Sequence, residues 1–163
     1  MSLRRIEADD LAMVLSWRNH PEVRKYMFSS HEISWEEHKA WFERERTDPA
    51  IECFLYTERD RPLGVVTFCP LHREQGNCFW GFYKHPGAPR GIGLKMEYAA
   101  LEYAFGELGL HKVNSEVIAF NEAVIRMQRK VGFREEGRFR DFFYDGSAYH
   151  DVVRFGMLER EWV

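Results

Sequence analysis

The chain has 163 residues, 45% of them hydrophobic and 30% charged, enough for one domain with its own core and too few for two comfortable ones. A formal net charge of −3 removes global electrostatic support for nucleic-acid binding. The longest helical run carries Glu97, Glu102 and Glu107, which excludes it as a membrane span.

"MSLRRIEADD" runs straight into charged sequence, so no signal peptide is read there, and its first three residues carry no weight. "EADDLAMVLSWRN" predicts a helix with Asp9 as N-cap and Leu11, Val14 or Leu15, and Trp17 or Arg18 along one side. Pro21 marks a break after it. "SWEEHKAWFERE" predicts a second helix, opened by a capping box of Ser34 and Glu37, with His38, Trp41 and Phe42 on its buried stripe. "IECFLYT" and "PLGVVTFCP" read as a hairpin around "ERDR", and "NCFWGFYK" as a third strand. "LKMEYAALEYAFGEL" predicts a helix buried along Leu94, Tyr98, Leu101, Phe105 and Leu108. "KVNSEVIAF" is a strand. Asn121 caps the next helix, "EAVIRMQRKV", and Gly132 closes it. "FREEGRFRDFFY" and "HDVVRFGMLERE" form a closing antiparallel pair around "DGSA".

This order predicts a mixed α/β sheet of about five to seven strands with helices on its faces, in one domain over residues 1–163. The aromatic content of 15% exceeds what a core of this size needs, and such a surplus often lines a pocket. Cys53, Cys69 and Cys78 show no paired spacing, which fits reduced thiols and a cytoplasmic protein. The seven histidines are dispersed, and no metal is expected.

"KHPGAPRGIGLKM" joins a strand to a helix through a glycine-rich turn. In that setting backbone N–H groups point at an anion, and the helix start adds about half a positive charge. The spacing is neither a Walker A nor a Rossmann fingerprint, so a tight strand-to-helix connection remains the alternative.

The succession of this loop, its helix, "VNSEVIAF" and "NEAVIRMQRKVGF" resembles the GNAT superfamily of acyl-CoA N-acyltransferases, and the resemblance covers almost the whole chain. It implies a GNAT fold, α/β (α+β), with a mixed central sheet of about six to seven strands flanked by about four helices. It also implies acetyl-CoA as acyl donor, with Arg90, Gly91, Ile92, Gly93 and Leu94 cradling its pyrophosphate. Phe82, Tyr83, Lys84 and Asn121 would complete the cofactor groove, and Arg126, Arg129 and Lys130 would reach its phosphates, unless they are only a solvated basic face. "WRN", "EEH..WF" and "WGFYKHP" most resemble the acetyltransferases of pseudaminic-acid biosynthesis, within a subgroup that includes ribosomal-protein alanine acetyltransferases. Those enzymes acetylate a UDP-4-amino-4,6-dideoxy-N-acetyl-altrosamine type of sugar for flagellin glycans. Two positions depart from the family pattern: Ala88 stands at the first place of the pyrophosphate motif, and Gln128 replaces a Tyr that often protonates the departing sulfur. A thiol pKa of about 8.5 makes thiolate a tolerable leaving group with little proton help.

The implied reaction is attack of a neutral amine on the thioester. Splaying of "WGFYK" would offer an oxyanion donor among the amides of Phe82 to Lys84, with Tyr83 at its centre, and Gln128 could donate a hydrogen bond. Glu116 would serve as base, or as a strand-face glutamate paired with an arginine. Trp17, Arg18, Asn19, His38 and Trp80 would form the acceptor pocket, with Arg18 meeting a diphosphate; His38 and Trp41 have structural readings as well. The expected partners are acetyl-CoA and a UDP-amino sugar, with no nucleic acid and no membrane, in a chain able to form a homodimer. The competing readings are a protein N-terminal acetyltransferase, a small-amine acetyltransferase and a non-catalytic acyl-CoA-binding module.

Overall fold

The computed structural model describes residues 2–162. The chain opens with β1 (Ser2–Arg5), then α1 (Leu11–Arg18), the single turn α2 (Pro21–Arg24) and α3 (Trp35–Thr47). The hairpin of β2 (Glu52–Glu58) and β3 (Arg61–His72) follows, then β4 (Asn77–Lys84) and α4 (Ile92–Glu102), which runs on as a π turn over Tyr103–Glu107. The remainder is β5 (Lys112–Ile118), α5 (Glu122–Val131), β6 (Arg134–Tyr144) and β7 (Tyr149–Leu158). Seven strands make one mixed sheet in the order β1-β2-β3-β4-β5-β7-β6. This is the GNAT-type architecture that the sequence predicts.

Alternation along the strands builds two cores, one on each face of the sheet. Phe54, Val66, Phe68 and Trp80 face α4 and α5, joining Met96, Leu101 and Ile125. Cys53, Leu55 and Val65 face α1 and α3, joining Val14, Trp17 and Phe42. Each large side chain that is fully buried, such as Phe68 or Phe155, contributes roughly 1.5–3 kcal/mol.

Several local readings are corrected. β1 was not read from the sequence, and half of it lies in the first three residues; it is short, carries a single apolar residue, Leu3, and is held by β2 through Leu3↔Tyr56 and Arg5↔Phe54. Pro21 marks the break expected after α1, which ends at Arg18, and also starts α2, with the His20 ring accepting the Glu22 amide. Ser34 caps α3 by accepting the Glu37 amide, but the Glu37 carboxylate turns outward to His31. Asn121 occupies the N-cap of α5 without a side-chain capping bond. The buried stripe of α4 is wider than expected: Leu101 and Phe105 are buried as read, Ile92, Met96 and Ala100 also face the sheet, with Ala104 in the π turn, while Tyr98 is exposed against Trp162. Small residues decide how closely it packs. A Cβ at Gly64 would lie 2.7 Å from Met96 Sδ, so α4 sits directly on β3.

That helix also buries Glu97, which is 0% exposed and has no partner on either carboxylate oxygen among the described residues. Burial pushes its pKa up from 4.5 to about 8. The native state therefore holds this proton more tightly than the unfolded chain does. The associated stability is complete below pH 4.5 and is lost as pH rises toward 8. Replacing Glu97→Gln is expected to remove a loss of roughly 3 kcal/mol between pH 5 and 7.5, read as urea midpoints of both proteins. Identical pH slopes for the two would contradict it.

Candidate active site

β4 and β5 run parallel but are paired only through Asn77↔Lys112, Cys78↔Val113 and Phe79↔Asn114. Asn114 Nδ2 donates to the Cys78 carbonyl (3.0 Å) and closes the narrow end of the seam. Beyond it the strands part around a cavity of about 510 Å³. Phe79 to Phe82 form one wall and Ser115 to Ile118 the other; Asn121, Val124 and Gln128 cover one side, and Tyr26, Met27 and Phe28 the mouth.

The register of β4 fixes which of its amides enter the opening. The His85 amide donates to Leu63 (2.8 Å), so the Tyr83 and Gly81 amides point toward β3 as well, opposite Val65 and Thr67. The intervening amides of Phe82 and Lys84 point the other way, into the gap. Tyr83 is thus corrected as the centre of the donor set. Its amide belongs to the β3 ladder, its ring packs on the α1–α3 face, and burial raises its phenol pKa.

The glycine loop enters α4 at the same end of β4. Gly91 has φ +92° as N-cap, a conformation that favours glycine. Gly93 packs closely on its neighbours: a Cβ there would lie 3.4 Å from Met127 Sδ and 3.7 Å from Lys84 Cδ. Among the described residues, the amides of Gly91, Gly93 and Leu94 have no acceptor, while that of Ile92 reaches Pro89 at 3.4 Å. Lys84 and Arg90 are exposed and make no ion pair among the described residues, leaving two cations beside these amides. His85 fixes the elbow of the loop, with its ring stacked on Trp17 (5.1 Å) and Nδ1 accepting the Gly87 amide (3.0 Å). The arrangement suits a polyanion at the α4 start and an extended chain running into the gap.

Two polar pairs stand on β5. Ser115, on the α5 face, accepts a hydrogen bond from Gln128 Nε2 (2.7 Å); Gln128 is 1% exposed and its Oε1 has no partner. Glu116, on the opposite face, has Arg154 at 3.8 Å, and that guanidinium lies over the Phe79 ring. The arginine-paired reading of Glu116 is therefore present in the structure together with its place in the cavity wall.

Trp80, Phe82, Glu116, Asn121 and Gln128 are brought together at the cavity. Trp17, Arg18, Asn19 and His38 are not, and each does structural work instead. Trp17 is core. Arg18 donates to the Ser29 carbonyl (2.5 Å), and burial lowers its pKa. Asn19 clasps Ile33 twice, donating to its carbonyl (2.8 Å) and accepting its amide (2.7 Å). His38 bonds the Leu11 carbonyl (2.9 Å), and burial lowers its pKa, so a neutral ring donates there through Nε2. Arg126 and Arg129 are occupied by Glu122 and Glu135. The sequence reading missed Tyr26, Met27, Phe28 and Ser115: the first three reach the cavity through the return of the 20–33 segment across the seam, and Ser115 stands in the strand "VNSEVIAF" beside Glu116, where only its bond to Gln128 marks it. Among the described residues, no group of three or more His, Cys, Asp and Glu is placed to hold a metal, and no helix is long and apolar enough to cross a membrane.

The family described as the acetyltransferase (GNAT) domain matches residues 1–134. The SPbeta prophage-derived uncharacterized N-acetyltransferase YokL of Bacillus subtilis is 29% identical, over 99% of this chain and 92% of its own. The acetyltransferase PseH of Campylobacter jejuni is 24% identical over 85% of this chain and 86% of its own. The spermidine N(1)-acetyltransferase of Vibrio cholerae is 25% identical over 100% of this chain and 95% of its own. A crystal structure of spermidine N-acetyltransferase from that organism, in complex with CoA and spermine, superposes with a TM-score of 0.89 at 24% identity, covering 98% of this chain and 96% of that one. These findings overturn the expectation of a pseudaminic-acid enzyme with a UDP-amino sugar as partner, and with it the link to flagellin glycans. Spermidine acetyltransferases are among the structures this chain resembles over its whole length, and of the residues expected in the acceptor pocket only Trp80 lines the cavity, while Trp17, Arg18, Asn19 and His38 are core and loop anchors.

Asn19 sets the segment that bears the aromatic mouth. Asn19→Ala is expected to cost about 1–3 kcal/mol of stability and to speed proteolysis between Arg24 and Glu32, because the Ile33 backbone loses both partners. Wild-type cleavage kinetics in the variant would contradict this role.

Proposed function

We infer the acceptor from one premise: the chain belongs to the acetyltransferase (GNAT) domain family and transfers an acetyl group from acetyl-CoA to an amine. We propose that the acceptor is a small aliphatic polyamine of the spermidine or spermine type. The observation that carries this reading is the chemistry of the cavity. Its wall holds the aromatic faces of Tyr26, Phe28, Phe79, Trp80 and Phe82, one carboxylate, Glu116, and no lysine or arginine. Arg154 lies beside that wall, over the Phe79 ring, but Glu116 at 3.8 Å already balances its charge, which leaves little for a nucleotide diphosphate. An ammonium finds the remaining ring faces, worth about 0.5–2 kcal/mol per cation–π contact, and a carboxylate that it would share with Arg154. The names of several full-length relatives support the same class.

In this reading the CoA pyrophosphate rests on the amides of Gly91, Gly93 and Leu94, with Lys84 and Arg90 supplying charge and Ala88 none. The pantetheine follows the unpaired edge of β4 past Asn121. The thioester oxygen takes the Phe82 amide, a fixed donor that needs no reorganisation as negative charge develops. Glu116 holds the incoming amine and receives its proton directly or through water. The aromatic mouth keeps the rest of the acceptor extended. The domain spans residues 1–163. The cysteines are free, and Cys53 and Cys78 are buried with thiol pKa values pushed up to about 12, which supports a cytoplasmic setting.

Release of CoA from acetyl-CoA, followed with a thiol reagent across an amine panel, tests the proposal. Spermidine or spermine is expected to turn over with kcat/KM at least tenfold above an alanine-terminated peptide, and a UDP-4-amino sugar is expected to be inert. Turnover confined to the peptide would contradict the polyamine reading in favour of N-terminal acetylation. Acetyl-CoA binding without turnover of any amine would favour a binding module.

A further inference from the structure

We propose that Ser115 is a catalytic residue, the hydrogen-bond donor to the departing thiolate, and that Gln128 is the positioning residue that aims its hydroxyl. This rests on acetyl transfer from acetyl-CoA and not on which amine accepts the group. Consecutive residues on β5 point to opposite faces of the sheet. Ser115 therefore stands on the side of α4 and α5, where the glycine loop lies, while Glu116 stands on the other. The wall opposite them carries the Phe82 amide. A thioester between the walls, with its oxygen on β4, turns its sulfur toward β5, where Ser115 offers a neutral donor.

Ser115 is 3% exposed and Gln128 1%, yet both line the cavity. Gln128 Nε2 donates to Ser115 Oγ (2.7 Å), so the serine accepts that bond and keeps its own hydrogen for another acceptor. The opposite amide orientation would strand both N–H donors in a dry site, whereas this one uses one of them and leaves Oε1 and the second N–H without a partner among the described residues. The pair has no structural partner for the serine hydrogen among the described residues, which is the condition expected of a donor held in reserve for a ligand.

In the reaction, the amine nitrogen attacks the carbonyl carbon, the C–N bond forms and the C–S bond breaks. The sulfur leaves with the electron pair as thiolate. Ser115 hydrogen-bonds that sulfur and retains its proton throughout. The proton lost by the amine passes to Glu116 or water, and the thiolate takes one from water after release.

The test is a pH titration of CoA bound to the enzyme, following thiolate absorbance in the ultraviolet, with desulfo-CoA as the blank. Bound CoA is expected to ionise about one pH unit higher in Ser115→Ala than in wild type. Ser115→Thr is expected to restore the wild-type value and Gln128→Leu to give an intermediate one. With whichever amine turns over, Ser115→Ala is expected to lower kcat about 10- to 100-fold and leave KM for acetyl-CoA within twofold. The double variant Ser115→Ala/Gln128→Leu removes both partners of the buried bond and serves if the single variant does not fold. An unchanged CoA ionisation in a variant that still binds CoA would overturn the proposal. So would a change confined to KM, which a purely structural pair would give.

Discussion

The site depends on one constraint in the sheet: β4 and β5 stay hydrogen-bonded for three residue pairs and then part. Buried backbone groups are rarely left without partners, because each unpaired N–H or C=O forfeits its solvation. Parted strands in the middle of a sheet are therefore costly unless the freed edge is used. Here the freed edge presents the Phe82 amide to a cavity of about 510 Å³, and the opposite edge presents Ser115 and Glu116. Asn114, bonded to the Cys78 carbonyl, marks where the ladder ends.

The helices that cover the opening are placed by close approach to the sheet. Gly64 lets Met96 sit on β3, and Gly93 brings the start of α4 against Phe82 and Met127. Gly91 makes the turn into that helix with a positive φ, and the stack of His85 on Trp17 holds the elbow. The α4–α5 core and the α1–α3 core lie on opposite faces, so the two faces can take different substrates. Phe82 and Tyr83, and then Ser115 and Glu116, divide between those faces because a strand alternates. In the proposed reaction the acyl donor and the amine would meet at the seam.

Much of this was legible in the sequence, for identifiable reasons. Apolar runs rich in β-branched and aromatic residues marked the strands, Ser34 and Gly132 marked helix ends, and the order of elements implied the mixed sheet. The glycine loop acquired meaning from its place before α4 and not from its spacing. What failed was the assignment of polar and aromatic residues in the N-terminal third. Trp17, Arg18, Asn19 and His38 looked like a binding constellation, yet they fix α1, α3 and the segment between them. A side chain that clasps a backbone carbonyl 14 residues away has no periodicity to betray it. Tyr26 to Phe28 reach the cavity only because that clasp folds their segment back over the seam. The first part of the α4 stripe was misread because Leu94 and Tyr98 outrank Ala100 in hydrophobicity, while close packing on Gly64 selects Met96 and the small residues; Leu101 and Phe105 are buried as read. The sugar acceptor was an inference from those same misread positions.

The most direct test of the seam as the acyl-transfer site is a crystal structure with acetyl-CoA bound. The account predicts the pyrophosphate on the amides of Gly91, Gly93 and Leu94. It places the thioester oxygen within hydrogen-bonding distance, about 3 Å, of the Phe82 amide nitrogen. A thioester seated elsewhere, such as the cleft between Arg5, Glu45 and Arg73, would contradict it.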